Sequence, residues 1–224
     1  DTAARIVFDR LGIECIEPPA TCCGSLSHHL DAREEALGII RNNIDNWLPL
    51  IEQHDIEHIC MTASGCGVAI NEYAQLLADD PAYADKAASI SAMYRDPGEI
   101  VAQLIDQDKG LLGLLSLDID TDRRIAFHPP CTLQHGLQNK NLIEPILQGC
   151  GFTLQPIADS HLCCGSAGTY SITQKTLSQQ LLSNKLGNIE KSQAEIIVTA
   201  NIGCQLHLQS GTGTPVKHWL ELFI

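Results

Sequence analysis

The sequence predicts an α/β fold made of two homologous repeats, each a small parallel sheet flanked by helices. Three observations carry this expectation. Thr21-Cys22-Cys23-Gly24-Ser25 returns as Leu162-Cys163-Cys164-Gly165-Ser166. Each double cysteine is followed by an apolar run, a small-residue turn and one more cysteine: Met61-Thr62-Ala63-Ser64-Gly65-Cys66 in the first copy, Val198-Thr199-Ala200-Asn201-Ile202-Gly203-Cys204 in the second. The intervals nearly agree, 43 residues from Cys23 to Cys66 and 40 from Cys164 to Cys204. Finally, short apolar runs alternate with helix-like stretches, the order that builds a parallel sheet.

The elements follow in chain order. Asp31 to Leu50 is a polar, helix-like stretch after the first double cysteine. The run Ile56-Glu57-His58-Ile59-Cys60-Met61 reads as a buried strand, and Val68 to Leu77 as the helix after it. A second strand at Ser91-Ala92-Met93-Tyr94 and a helix from Pro97 to Ile105 close the first copy. Asp106 to Arg124, with Asp118, Asp120 and Asp122, reads as the linker. The second copy opens on the strand Arg124-Ile125-Ala126-Phe127-His128. Gln174 to Lys191 is its polar helix, and both long helices carry an asparagine step, Arg41-Asn42-Asn43-Ile44 and Ser183-Asn184-Lys185-Leu186. Glu195 to Thr199 is its buried strand, Val216-Lys217-His218 its last strand, and Trp219 to Phe223 its last helix. The expected domains are therefore residues 1–115 and 122–224. Cys131 lies 32 residues before Cys163, and its counterpart would fall ahead of Asp1, so the first repeat is expected to be truncated at its front.

The net charge is −13, from 14 basic and 27 acidic residues. A phosphate backbone needs a basic footprint, so a nucleic-acid partner is excluded. No apolar run approaches the roughly 20 residues of a membrane-spanning helix. Neither a G-x-G-x-x-G nor a Walker A phosphate loop is present, and no nucleophile elbow occurs.

Ten cysteines remain to be explained. Vicinal cysteines rarely bridge each other, and the chain is longer than a disulfide-stapled domain, which points to a reduced, cytoplasmic setting. Parallel sheets place ligand sites at the carboxyl ends of their strands. Cys131 and Cys204 each follow a strand, and Cys163-Cys164-Gly165 precedes a helix, so three loops can bring four thiols to one sheet edge. Helix N-termini favour the thiolate, the form that binds metal. The candidate ligands are Cys131, Cys163, Cys164 and Cys204, with Cys22, Cys23 and Cys66 as a weaker set in the first copy. Four thiolates suit a [4Fe–4S] cluster or a tetrahedral zinc ion. A cycling Cys163-Cys164 dithiol is the third reading. Cys15 and Cys150 fall outside the pattern and read as core, as does Cys60. His128, His161, His135 and His207 lie near the ligand loops, where they could bond to a centre or act as ordinary loop residues; His28 and His29 follow the first double cysteine.

The same residues carry a family resemblance that covers the whole chain. Cys22-Cys23-Gly24, His128-Pro129-Pro130-Cys131, Cys163-Cys164-Gly165 and Thr199-Ala200-Asn201-Ile202-Gly203-Cys204 resemble the cysteine-rich CCG-domain family. That family includes the heterodisulfide reductase B subunit, lactate-utilisation proteins and the glycolate oxidase iron–sulfur subunits. FHPPCTLQHG, DSHLCCGSAGTYSI and VTANIGCQLHL are most similar to the last branch. The resemblance implies an electron-transfer subunit of a glycolate (2-hydroxy acid) dehydrogenase that is not itself catalytic on glycolate. It implies an FAD-containing partner subunit, a further subunit, a ferredoxin-like domain ahead of this chain, and a quinone-type acceptor. Peripheral membrane association through the complex would follow. The family pattern ends each repeat in C-x-x-C, whereas Ala63 and Asn201 stand at the first of those positions here. A noncubane cluster that needs the extra cysteine does not fit; four thiolates for one centre remain.

Overall fold

The computed structural model describes residues 1–19 and 21–224. Its organising feature is a four-stranded, all-parallel sheet: β1 (Arg124–His128), β2 (Thr153–Leu154), β3 (Ile196–Thr199) and β4 (Val216–His218), in the order β2-β1-β3-β4. β1 pairs with β3 from Ile125↔Ile196 to His128↔Thr199, and β3 with β4 from Ile197↔Val216 to Thr199↔His218. All four residues of β3 are buried, as are the last four of β1. Burial on both faces is why these runs carry no polar alternation.

The strand order fixes where a ligand can bind. From β1 the chain moves outward to β2, then returns past β1 to β3 and continues to β4. Connections therefore leave β1 and β3 in opposite directions, and their carboxyl ends flank a crevice, the position where open parallel sheets hold ligands. A single π turn, Thr132–Gly136, and helix Ile143–Gly149 lead from β1 to β2. Helices Tyr170–Thr173 and Lys175–Lys191 lead to β3, and helix Ile202–Gln209 leads to β4.

Helix Lys175–Lys191 turns Ser178, Leu182, Lys185, Leu186 and Ile189 inward, a helical spacing of one face. Leu182, Leu186 and Ile189 pack with Ala126, Ile197, Leu208 and Val216, and Cys164 and Cys204 belong to the same cluster. Two polar residues, Ser178 and Lys185, sit on this otherwise apolar face, 0% and 2% exposed. Both serve the candidate site described below.

By contacts the chain divides into two units, one of residues 1–15, 62–64 and 97–224, the other of 16–61 and 65–96. This division is not that of the sequence repeats 1–115 and 122–224. In the first unit, helix Thr2–Arg10 reaches the C-terminal 3₁₀ turn Trp219–Phe223, where Arg10 Nη1 donates to the Phe223 carbonyl at 2.6 Å. Thr62 and Ser64 are tied to the edge of the sheet: Ser64 Oγ lies 2.7 Å from Thr132 Oγ1, and the Thr62 carbonyl 2.9 Å from His218 Nε2.

The second unit is mostly helical. Helix Arg33–His54 buries Ala36, Leu37, Ile40, Ile44 and Trp47. Trp47 stacks on Tyr73 of helix Tyr73–Leu76 with centroids 6.2 Å apart. Here the expected sheet shrinks to one parallel bridge, Ile59↔Tyr94. Ser91 to Met93 are the end of helix Ala84–Met93 rather than a strand. The cause is local: Ala-Asp-Lys-Ala-Ala-Ser-Ile-Ser-Ala-Met is rich in alanine and propagates a helix, which leaves only Tyr94 extended as partner for Ile59. The expected helix Val68–Leu77 divides into Ser64–Asn71 and Tyr73–Leu76, and the expected linker contains helix Leu111–Leu115.

A four-cysteine candidate metal centre

Three loops at the carboxyl edge of the sheet supply the thiols. Cys131 follows β1 after Pro129-Pro130 and enters the π turn. Cys204 lies in the first turn of helix Ile202–Gln209, where the positive helix end favours a thiolate. Cys163-Cys164 precede Gly165, whose φ of +96° is a glycine conformation. That glycine has a second reason. A Cβ there would stand 2.5 Å from the Ser178 carbonyl of helix Lys175–Lys191. The loop can lie this close to the helix only with hydrogen at position 165.

The four thiols act on one another's ionisation in sequence, Cys131 on Cys163, Cys163 on Cys164 and Cys164 on Cys204, and the Cys164 and Cys204 sulfurs lie within 4.8 Å of each other. Cys163 and Cys204 are pulled far down from the usual thiol range, Cys163 chiefly by the Cys131 thiol and Cys204 chiefly by the Cys164 thiol. Cys131 and Cys164, which donate those bonds, are pushed up. Cys164 is 1% and Cys204 6% exposed, whereas Cys131 and Cys163 are half-buried.

Donors surround the sulfurs. The Gly165 N–H lies 3.2 Å from Cys163 Sγ, and Asn201 Nδ2 lies 3.7 Å from Cys204 Sγ. Asn201 stands at the N-cap of helix Ile202–Gln209, but its side chain turns to the sulfur instead of capping. Ser178 Oγ donates to the Gly165 carbonyl at 2.8 Å, and His207 Nε2 lies 3.2 Å from the same hydroxyl, so helix Lys175–Lys191 clamps the loop. The Lys185 amine donates to the Asp159 and Ser160 carbonyls at 2.8 and 3.1 Å. Burial lowers its pKa, and the sulfurs of Cys164, Cys131 and Cys163 oppose that shift. A cation thus stands beside the group that would carry negative charge.

The second unit repeats the local geometry on a smaller scale. The Gly24 N–H lies 3.4 Å from Cys22 Sγ, with Gly24 at φ +84°. Cys23 is lowered to about 6, mainly because the Cys66 thiol donates to it, and Cys66 is raised in turn. Cys22, Cys23 and Cys66 are therefore brought together. Asn43 Nδ2 donates to the Cys22 carbonyl at 2.8 Å and to Tyr73 Oη at 3.0 Å, and Tyr73 donates to the Cys23 carbonyl at 2.8 Å. Asn43 occupies the step that Lys185 occupies in the second copy. The second copy has a cation at this place and the first a neutral amide.

Cys150 is buried, 4.0 Å from the Leu112 carbonyl and apart from both groups. Of the histidines, His161 is exposed, His135 lies in the π turn, and His28 and His29 share helix Ser25–His29. His128 differs. It is fully buried, and its ring lies with the Cys164 and Cys204 sulfurs in one group whose donor atoms are all within 4.8 Å of one another. Sequence reasoning left His128 undecided and passed over Lys185, Asn201 and Ser178. The one signal available was a lysine and a serine on the apolar face of a helix.

The donor chemistry fits a thiolate-held metal: four adjacent sulfurs, amide donors aimed at two of them, a nearby buried cation, and a buried imidazole with no aligned partner. The cysteine-rich domain model named CCG matches residues 1–71 and 125–209. The glycolate oxidase iron–sulfur subunit of Escherichia coli strain K12 is 46% identical over 99% of this chain, which covers 53% of that relative. The probable glycolate oxidase iron–sulfur subunit of Bacillus subtilis strain 168 is 30% identical over 88% of the chain and 42% of its own length. Lactate utilization protein A of an Exiguobacterium strain is 26% identical over 94% of the chain and 84% of its own length. The chain thus spans about half the length of the two glycolate oxidase relatives.

Proposed function

This chain belongs to the CCG cysteine-rich domain family, and from that premise we propose that it is the electron-carrying part of an iron–sulfur subunit in a 2-hydroxy-acid dehydrogenase, with glycolate as the substrate of the complex. The observation that carries the reading is the meeting of Cys131, Cys163, Cys164 and Cys204 at the crevice between β1 and β3. We assign these four residues as ligands of a [4Fe–4S] cluster. Bound there, such a cluster supplies one-electron exchange without proton chemistry.

The chain's own residues set the conditions. Cys164 and Cys204 keep the inner side dry, and the half-buried Cys131 and Cys163 form the side nearer solvent. The Gly165 N–H and the Asn201 amide stabilise sulfur charge, which favours the reduced state, and Lys185 adds a positive charge in the same sense. Cys22, Cys23 and Cys66 offer three thiols, too few to close a tetrahedral site alone. In this reading residues 1–115 and 122–224 are the two repeats, and the second holds the centre.

The relatives' names motivate the rest of the proposal. Electrons arrive from an FAD-containing partner subunit and leave towards a quinone-type acceptor at the inner face of the membrane. Among the described residues no helix is long and apolar enough to cross a membrane, so attachment would run through the complex. The test is anaerobic addition of glycolate to the assembled complex. The visible absorption of the cluster should bleach as electrons arrive, and both the absorption and its bleaching should be missing when Cys204 is replaced and the centre is lost. A colourless chain holding only zinc would instead identify a structural docking module, and glycolate oxidation that leaves the absorption untouched would remove the relay role.

A further inference from the structure

Resting on the metal-centre reading above, we propose that His128 is a positioning residue of the centre: one ring nitrogen accepts from the Thr199 hydroxyl, and the N–H on the other donates to the Cys204 sulfur. His128 ends β1 and Thr199 ends β3, and the two are register partners on adjacent strands. Directly opposed residues share one face of a sheet. Both are 0% exposed. Donor atoms of His128, Cys164 and Cys204 all lie within 4.8 Å of one another. The ring already acts on Cys204 in the sense that favours its thiolate. His128 therefore stands between a buried hydroxyl on one strand and a ligand sulfur just beyond the end of the same strand.

The proton inventory fixes the direction of each bond. A ligand sulfur has lost its proton and only accepts. The ring nitrogen beside it must carry the N–H. A neutral imidazole has one N–H and one lone pair, so its other nitrogen needs a donor. Thr199 Oγ1 is a donor, and it is buried with no aligned partner, as are both ring nitrogens. Three such atoms at one sheet edge need an explanation. The histidine ring turns on a soft torsion, so one rotation can align both bonds and satisfy all three atoms. Which nitrogen bears the proton is set by the bond that the other makes. Thr199 thus holds the ring in the tautomer that serves the sulfur. An N–H bond to a ligand sulfur stabilises the more negative, reduced state and raises the potential.

The experiment has two arms. In the first, the chain is loaded anaerobically with iron and sulfide and titrated potentiometrically. His128→Leu should keep the centre and lower its midpoint potential. His128→Asn and His128→Gln place an amide N–H near the Nδ1 and Nε2 positions, and the one that matches the donor nitrogen should recover much of the loss. Thr199→Val should give part of the His128→Leu shift, and Thr199→Ser should stay at the wild-type value. In the second arm, ¹⁵N NMR of the metal-free, histidine-labelled chain reads the ring directly. The His128 ring should show a single tautomer in wild type and in Thr199→Ser, and a mixture of both in Thr199→Val. A loaded wild-type chain whose potential is unmoved by His128→Leu overturns the inference and leaves the four-cysteine centre standing. A lowered potential that neither amide recovers overturns it as well, since loss of packing alone would give that result. Identical ring spectra in wild type and Thr199→Val remove Thr199 from the pair and overturn the proposal as stated. A wild-type chain that takes up no iron and sulfide overturns the metal centre, and this role with it.

Discussion

Replacing Gly165 by alanine separates the geometry of the site from the identity of its ligands. The residue sits at φ +96°, and an added Cβ would stand 2.5 Å from the Ser178 carbonyl and 3.2 Å from both His207 Nε2 and Leu181 Cβ. The backbone conformation costs a side chain about 1–2 kcal/mol. The contact with a helix carbonyl cannot be relieved by a rotamer, and overpacking of this kind costs about 1–3 kcal/mol. Moving the loop away also stretches the 2.8 Å bond from Ser178 Oγ to the Gly165 carbonyl and the 3.2 Å contact from the Gly165 N–H to Cys163 Sγ. The expected loss is about 3–4 kcal/mol, or roughly 10 °C in Tm for a chain of this size. Gly168→Ala is the control: its φ is +56°, but nothing lies within 4 Å of an added Cβ, so the cost should be about 1 kcal/mol. Thermal denaturation of the metal-free variants, followed by circular dichroism, gives the comparison. Metal content after anaerobic loading should fall for Gly165→Ala alone. Equal destabilisation of the two variants would refute the close loop–helix approach on which the site depends.

Lys185→Met should leave the fold in place at a cost of about 1–3 kcal/mol for the two carbonyls that lose a donor. Potentiometric titration should show the centre's potential lowered by on the order of 100 mV, for one charge lost at ~6 Å in a medium of ε ~20; Lys185→Arg should recover part of it, and an unchanged potential would mean the amine does not sense the sulfurs. His218 gives a pH prediction. Burial lowers its pKa from 6.5 to about 4, and its Nδ1 accepts from the Leu220 N–H while Nε2 faces the Thr62 carbonyl. The unfolded chain therefore binds the extra proton between pH 6.5 and 4, so stability present above pH 6.5 falls by up to about 3 kcal/mol as pH drops through that window. Urea titrations across this range should show the fall, and His218→Gln should flatten it. Cys150→Ser should cost about 1–2 kcal/mol by placing a hydroxyl in an apolar site, with metal content unchanged; loss of metal would place Cys150 in the centre.

Where one physical signal dominated, the fold could be read from the sequence. The strands Arg124–His128, Ile196–Thr199 and Val216–His218 are short apolar runs that end at small-residue turns, and helix Lys175–Lys191 begins within a residue of its expected start. The two-residue strand Thr153–Leu154 was invisible because it is too short to show a period. Ser91 to Met93 read as a strand by analogy with the second copy, but local alanine content decided for a helix. For the site, the repeat singled out Cys163, Cys164 and Cys204, since recurring thiols stand out from buried ones, and Cys131 was added by its place just after a strand. The groups around them were hidden for a different reason. Lys185 looks like a surface residue of a polar helix until the register turns it inward. His128 looks like any strand-end histidine until burial removes both of its partners.

Iron and acid-labile sulfide, counted per chain after anaerobic purification of wild type, Cys204→Ser and Cys150→Ser, test the centre most directly. The arrangement of the four thiols predicts bound iron with matching sulfide in wild type and in Cys150→Ser, and loss of both together with the visible colour in Cys204→Ser. Iron and sulfide that survive the loss of the Cys204 thiol would contradict the ligand set, and a wild-type chain containing only zinc would contradict the cluster.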